Sequence, residues 1–138
     1  MNLSDNFYRK MFFISAIWNF SFAIPGLLFP EFSIKLTFGP EMDQSLILGN
    51  YYARSIYLFW WGAVLLFGIG YYLISLDINR NRAMIWMGVL GKLCFFFFFT
   101  YSYFTGRSTL LSFLGGSGDF LFTVMFIAFL FRTRPERL

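Results

Sequence analysis

The residues able to do chemistry in this chain are few, and they stand in apolar company. Lys92 follows Gly88, Val89, Leu90 and Gly91 and precedes Leu93, Cys94 and the run Phe95 to Phe99. Asp119 follows Gly115, Gly116, Ser117 and Gly118 and precedes a second apolar run. An ionised side chain at the centre of a hydrocarbon layer costs about 3 kcal/mol even on the milder insertion scale, so such positions are informative. Lys92 is about nine residues into its segment from one side and Asp119 about ten into the next segment from the other. At ~1.5 Å per helical residue they reach depths of ~13 and ~15 Å. Consecutive antiparallel helices would therefore bring the two to one level, where an ion pair offsets part of the desolvation cost.

Two further stripes could join them. Ser15, Trp18, Asn19 and Phe22 share one helical face, with Asn19 at mid-depth and suited to hydrogen bonding between helices. Asn50, Arg54, Tyr57 and Trp61 share another, spaced by three or four residues. The expectation is one polar pocket lined by Lys92, Asp119 and Asn19, flanked by Trp18, Trp61 and Asn50, and capped from outside by Arg54 and Tyr57. For Arg54 two readings stand. Its planar guanidinium would bind an anionic headgroup or carboxylate bidentately, or it would reach the outer interface or pair with Glu41 or Asp43. The glycines before Asp119 also carry two readings: a break in the last helix beside a polar cavity, or small residues that admit a neighbouring helix.

Much chemistry is excluded. With no histidine in 138 residues, bis-histidine haem ligation, zinc sites of the H-E-x-x-H kind and histidine acid–base catalysis are absent. The lone Cys94 forms no disulfide within the chain, and an apolar run is the usual setting of a buried, inert thiol. The stretch Gly88 to Lys92 lacks the Ser or Thr and the preceding strand of a phosphate loop. No cofactor or metal is expected. A formal charge of +4 does not indicate nucleic acid, because the basic residues sit at segment ends rather than on one face.

The elements that position these groups follow from composition. Hydrophobic residues make up 58% of the chain and charged ones 13%, against about a quarter charged in soluble domains. Lipid is the solvent that fits. Four stretches reach the ~20 apolar residues a spanning helix needs: about 11–29, 46–76 (opening at Leu46 or Arg54), 83–104 and 109–131. The fold class is a single all-α, four-helix membrane domain. Pro25 and Gly26 should bend the first helix and Pro30 stop it; residues 30–44 should form a short segment on the membrane surface, with a plain loop as the alternative. No small-residue cleavage site follows the first helix, so it is expected to be retained.

Arg9 and Lys10, Arg80 and Arg82, and Arg132, Arg134 and Arg137 gather on one side, which predicts both termini in the cytoplasm. The short 77–82 connection predicts antiparallel second and third helices. Tyr71, Tyr72, Trp86, Tyr101 and Tyr103 are expected at the interfaces, with Trp60 and Trp61 deeper. The many phenylalanines are expected to face lipid or fill the core. The absence of an internal repeat argues against an inverted-repeat transporter.

The pattern Pro25-Gly26 and Phe29-Pro30 closing the first helix, Arg54 opening the second, Gly68-Ile69-Gly70-Tyr71, Gly88 with Gly91-Lys92-Leu93, and Gly118-Asp119 resembles the DoxX-like group of small bacterial four-helix membrane proteins. The resemblance covers most of the chain and implies the fold and an inner-membrane location. Three functions stand open. The pocket binds or transports a small amphipathic or lipid-like molecule, or Asp119 or Lys92 transfers a proton on a lipid as in an isomerase, or the bundle is a non-catalytic subunit of a larger membrane complex. Homo-oligomers are compatible with each, and four helices leave little interior room for a conducting pore, so an ion pathway would have to run between subunits.

Overall fold

A computed structural model of the chain describes residues 3–80 and 82–133. Among these residues regular structure is entirely helical: α1 Leu3–Leu28, α2 Pro30–Phe38, α3 Ser45–Leu48, α4 Tyr51–Leu76, α5 Arg82–Phe104 and α6 Leu110–Arg132. Of these, α1, α4, α5 and α6 are the four helices long and apolar enough to cross a membrane. Helices satisfy every backbone donor and acceptor internally, which hydrocarbon demands. The chain is a multi-pass integral membrane protein.

Each helix end has a local cause. The Asn50 side chain accepts from the Ala53 N–H at 3.0 Å and opens α4; Thr109 does the same for α6 through the Ser112 N–H at 3.3 Å. The second span thus begins at Tyr51 rather than Leu46, and Ser45–Leu48 forms a separate turn of helix. The Asp43 carboxylate starts that turn, and hydrogen bonds from the Ser45 side chain and backbone hold its pKa below the ordinary value. α1 begins at Leu3, before the expected Met11, with Asp5 favourably placed in its first turn. It passes through Pro25 and stops at Leu28 because Pro30 opens α2 as its first residue. The segment between the first two spans is therefore largely helical.

Two arginines close helices at the end where α1 begins and α6 finishes. Arg82 donates to the Leu130 and Thr133 carbonyls at 2.7 and 2.6 Å, and Arg9 donates to the Leu76 carbonyl at 2.9 Å. Last-turn carbonyls have no helical donor, so a guanidinium there fills an obligatory vacancy. Arg134 and Arg137 lie outside the described residues.

The spans run up, down, up, down and pack as two close pairs, α1 with α4 and α5 with α6. Lipid tails are as apolar as the side chains, so close approach rather than escape from water drives this packing. A Cβ on Gly68 would stand 2.6 Å from the Phe20 ring and 3.1 Å from Asn19 Cβ; one on Gly116 would stand 3.4 Å from the Phe96 Cα. α4 and α5 are antiparallel, but they meet through side chains such as Trp60 and Phe95, whose ring centroids are 4.5 Å apart.

Aromatic rings fill the space between the pairs at the α6 C-terminal end. Tyr8 and Phe12 of α1 pack on Phe129 and Phe126 of α6, and Tyr71 of α4 joins Phe126. Tyr71 is 1% exposed, so it belongs to the core and not to the expected interfacial belt; Gly88 supplies the space for its ring. Cys94 is exposed on the face of α5 that also carries Leu90, Phe97 and Tyr101, contrary to the expected burial. The helical period turns it outward, to the side that meets lipid in a membrane.

Candidate functional site

Lys92 and Asp119 lie near the middles of α5 and α6, and Lys92 Nζ stands 2.6 Å from Asp119 Oδ1. The ammonium donates a second hydrogen bond to Asn19 Oδ1 at 3.0 Å. It also lies 5.2 Å from the centroid of the Tyr71 ring and 5.1 Å from that of Phe122. A lysine has three donors, and two oxygens with two electron-rich ring faces leave none directed at bare hydrocarbon. The Lys92 side chain is 4% exposed.

Asn19 is the hinge of this network. Its Nδ2 donates to the Val64 carbonyl of α4 at 3.0 Å while its Oδ1 accepts from Lys92. That carbonyl is within reach because Gly68, one turn further along α4, presents no side chain to Asn19. A chain of polar contacts thus runs from the α4 backbone through α1 and α5 to α6, tying the two close pairs together. Trp18 lies across Gly118 and its indole stands beside the Asp119 carboxylate.

α6 is helical without interruption from Leu110 to Arg132, through Gly115–Gly118. Each of three glycines there meets a neighbour: Gly115 the Phe22 ring, Gly116 the α5 backbone, Gly118 the Trp18 ring. The same small residues bring Asp119 within reach of α1 and α5.

A cavity of about 360 Å³ adjoins the network on the side of α2. Asn19 and Asp119 form its polar floor, Phe22, Trp61, Val64, Phe95, Phe99 and Leu111 its walls, and Phe32, Ser33, Leu36 and Thr37 of α2 its roof. Ser21, Phe32, Leu36 and Leu111 are exposed lining residues, so the cavity reaches the surface at the seam of α1, α2 and α6. Lys92 is not part of this wall. It borders a smaller space of about 30 Å³ behind the carboxylate, with Phe67, Tyr71 and Gly91.

α2 is held over the cavity by its own open C-terminus. The Thr37 carbonyl accepts from the Thr109 N–H and the Ser112 hydroxyl, both at 2.9 Å, and the Leu36 carbonyl accepts from the Thr109 hydroxyl. At the other end the Tyr57 hydroxyl donates to the Gly26 carbonyl of α1 at 3.0 Å and lies 3.5 Å from the carbonyl of Pro30, the first residue of α2.

The expected site residues therefore separate into two groups. Lys92, Asp119, Asn19, Trp18 and Trp61 meet at or around the cavity; Trp61 packs on Gly26, and its indole N–H is buried without a formed hydrogen bond, near the Tyr57 hydroxyl. Asn50 and Arg54 stand apart from it. Asn50 is occupied as the α4 cap, and Arg54 is exposed on the first turns of α4, with no side-chain partner among the described residues. The roof is α2, not the Arg54 guanidinium, because Thr109 and Ser112 draw α2 across the mouth. Sequence reasoning missed Tyr71 and Phe122, which face the ammonium, and the α2 roof. The spacing of Gly88 and Lys92, one helical turn apart, was the signal that a bulky ring had to fill the gap beside the lysine.

No family model, no curated protein and no solved structure matches the chain.

Proposed function

We propose that the bundle binds a small amphipathic molecule in the cavity beneath α2, with Asp119 as the polar anchor and the surrounding hydrocarbon as the compartment the molecule enters from. The observation that carries this reading is a buried ion pair bordering an apolar cavity of about 360 Å³ that reaches the surface between spanning helices. That volume falls in the range of about 300–1,000 Å³ typical of small-molecule sites, which pair apolar walls with a few convergent polar groups. Binding is favoured over passage because the opposite end is filled by Phe12, Phe126 and Phe129, each 0% exposed. It is favoured over catalysis because Asp119 is the one titratable side chain among the described lining residues, and its charge is already matched by Lys92.

In this reading both chain ends face the cytoplasm of an inner membrane. Arg9, Lys10, Arg80, Arg82 and Arg132 share one end of the bundle, as the bias of cytoplasmic ends toward basic residues requires. Kinship with the DoxX-like group is part of the proposal and rests on the sequence pattern alone.

The test is retention of an amphiphile by the purified protein, read by native mass spectrometry with n-decanol as the probe. A Gly115→Leu variant grows a side chain into the cavity wall beside Phe22. The variant should keep its helical circular dichroism and lose the bound probe. Equal retention by both proteins would contradict binding in this cavity.

A further inference from the structure

The cavity presents a carboxylate and withholds the ammonium that balances it. Asp119 Oδ1 accepts a hydrogen bond from the Lys92 ammonium behind it, and the Asp119 side chain is 14% exposed where that of Lys92 is 4%. A carboxylate offers about four lone-pair sites. The hydrogen bond from Lys92 and the neighbouring Trp18 indole leave sites open toward the cavity.

The remaining polar groups are spent or uncharged. Asn19 Oδ1 already accepts from Lys92, the Ser21 hydroxyl donates to the Trp18 carbonyl and the Ser112 hydroxyl to the Thr37 carbonyl; the Ser33 and Thr37 hydroxyls and the unpaired Trp61 indole N–H are neutral groups nearer the α2 side. The strongest free function facing the cavity is therefore an acceptor, deep in the bundle, opposite apolar walls.

Charge balance narrows the class of ligand further. Lys92 and Asp119 together carry no net charge. A cationic head would leave one uncompensated positive charge in a low-dielectric site, and an anionic head would meet the carboxylate directly; both are costly at membrane depth. A neutral hydroxyl donates to the carboxylate and adds no charge.

Building on the proposed binding function, we infer that the cavity selects an uncharged, hydroxyl-headed amphiphile whose O–H donates to Asp119 while its chain runs along Phe95, Phe99 and Leu111 toward α2. The membrane supplies such a molecule as a free lipid alcohol, and its chain stays in hydrocarbon as the head enters.

The experiment compares four probes of one chain length, n-decanol, n-decanoate, n-decylamine and n-decane, each titrated into the wild-type protein and read by native mass spectrometry. A hydrogen bond to a charged acceptor predicts that n-decanol is held about tenfold more tightly than n-decane and at least that much more tightly than either charged probe. In the double variant Lys92→Met with Asp119→Leu, which keeps the site neutral, n-decanol and n-decane should bind alike. Tighter binding of n-decanoate or n-decylamine, or equal binding of all four by the wild type, would overturn the head-group inference and leave the binding function standing. Retention of none of the four would overturn both.

Discussion

Lys92 and Asp119 are held where neither water nor a solvated face relieves them, and this fixes how substitutions there behave. Lys92→Met alone strands a carboxylate beside a cavity and is expected to cost about 3–5 kcal/mol, as breaking a buried pair generally does. The double variant Lys92→Met with Asp119→Leu removes both charges and should recover most of that loss. Thermal unfolding in one detergent compares the two; a double variant less stable than the single one would contradict the prediction. The pair was legible in the sequence because both residues fall near the middle of apolar runs, so simple rise per residue brings them level. Tyr71 was not, since a tyrosine near a segment end matches an interfacial anchor, and only the missing side chain of Gly88 across the bundle turns it inward. Arg54 and Asn50 share a stripe with Tyr57 and Trp61, but periodicity gives a shared face and not what that face meets. Here the lower half of the stripe turns to α1 and the upper half to the outside.

At the scale of the helix, α2 and the α1–α4 contact carry the site. Ser112→Ala removes one hydrogen bond to the Thr37 carbonyl and should weaken the hold on α2 by about 1 kcal/mol. Hydrogen exchange of residues 30–38 should then be faster by about fivefold while the four spans keep their protection. Unchanged exchange would mean that Ser112 does not secure the roof. Glycines give a sharper comparison within one helix. Gly68→Ala forces a methyl against Phe20 and Asn19 and is expected to cost about 1–3 kcal/mol through overpacking, loosening the Asn19 bond to Val64. Gly62→Ala, with nothing within 4 Å of the new carbon, should be neutral or stabilising by up to about 1 kcal/mol. Unfolding measurements that rank the two the other way would contradict the close approach of α1 and α4. The spans themselves could be read from length and apolarity, with ends within a few residues except at α1 and α4. The α2 roof could not, because its position depends on carbonyls of one segment meeting hydroxyls more than seventy residues away.

Across the whole molecule, the two ends of the bundle differ in charge and in packing. The end with Arg9, Arg80, Arg82 and Arg132 is densely filled by rings, whereas the end with α2, Glu31, Glu41 and Asp43 is hollow. If the basic end faces the cytoplasm, Arg107→Cys in a Cys94→Ser background should react with an impermeant maleimide on intact cells, and Arg80→Cys only after the membrane is opened. The reverse labelling would invert the topology and put the cavity mouth on the cytoplasmic side. The binding function is tested most directly by where a bound ligand lies. An n-decanol carrying a diazirine at its chain end, irradiated with the protein in a bilayer, should attach to Phe32, Leu36 or Leu111 and be displaced by unlabelled n-decanol. Labels scattered over outward rings such as Phe59 and Phe97, undiminished by competitor, would show that the cavity holds no such molecule.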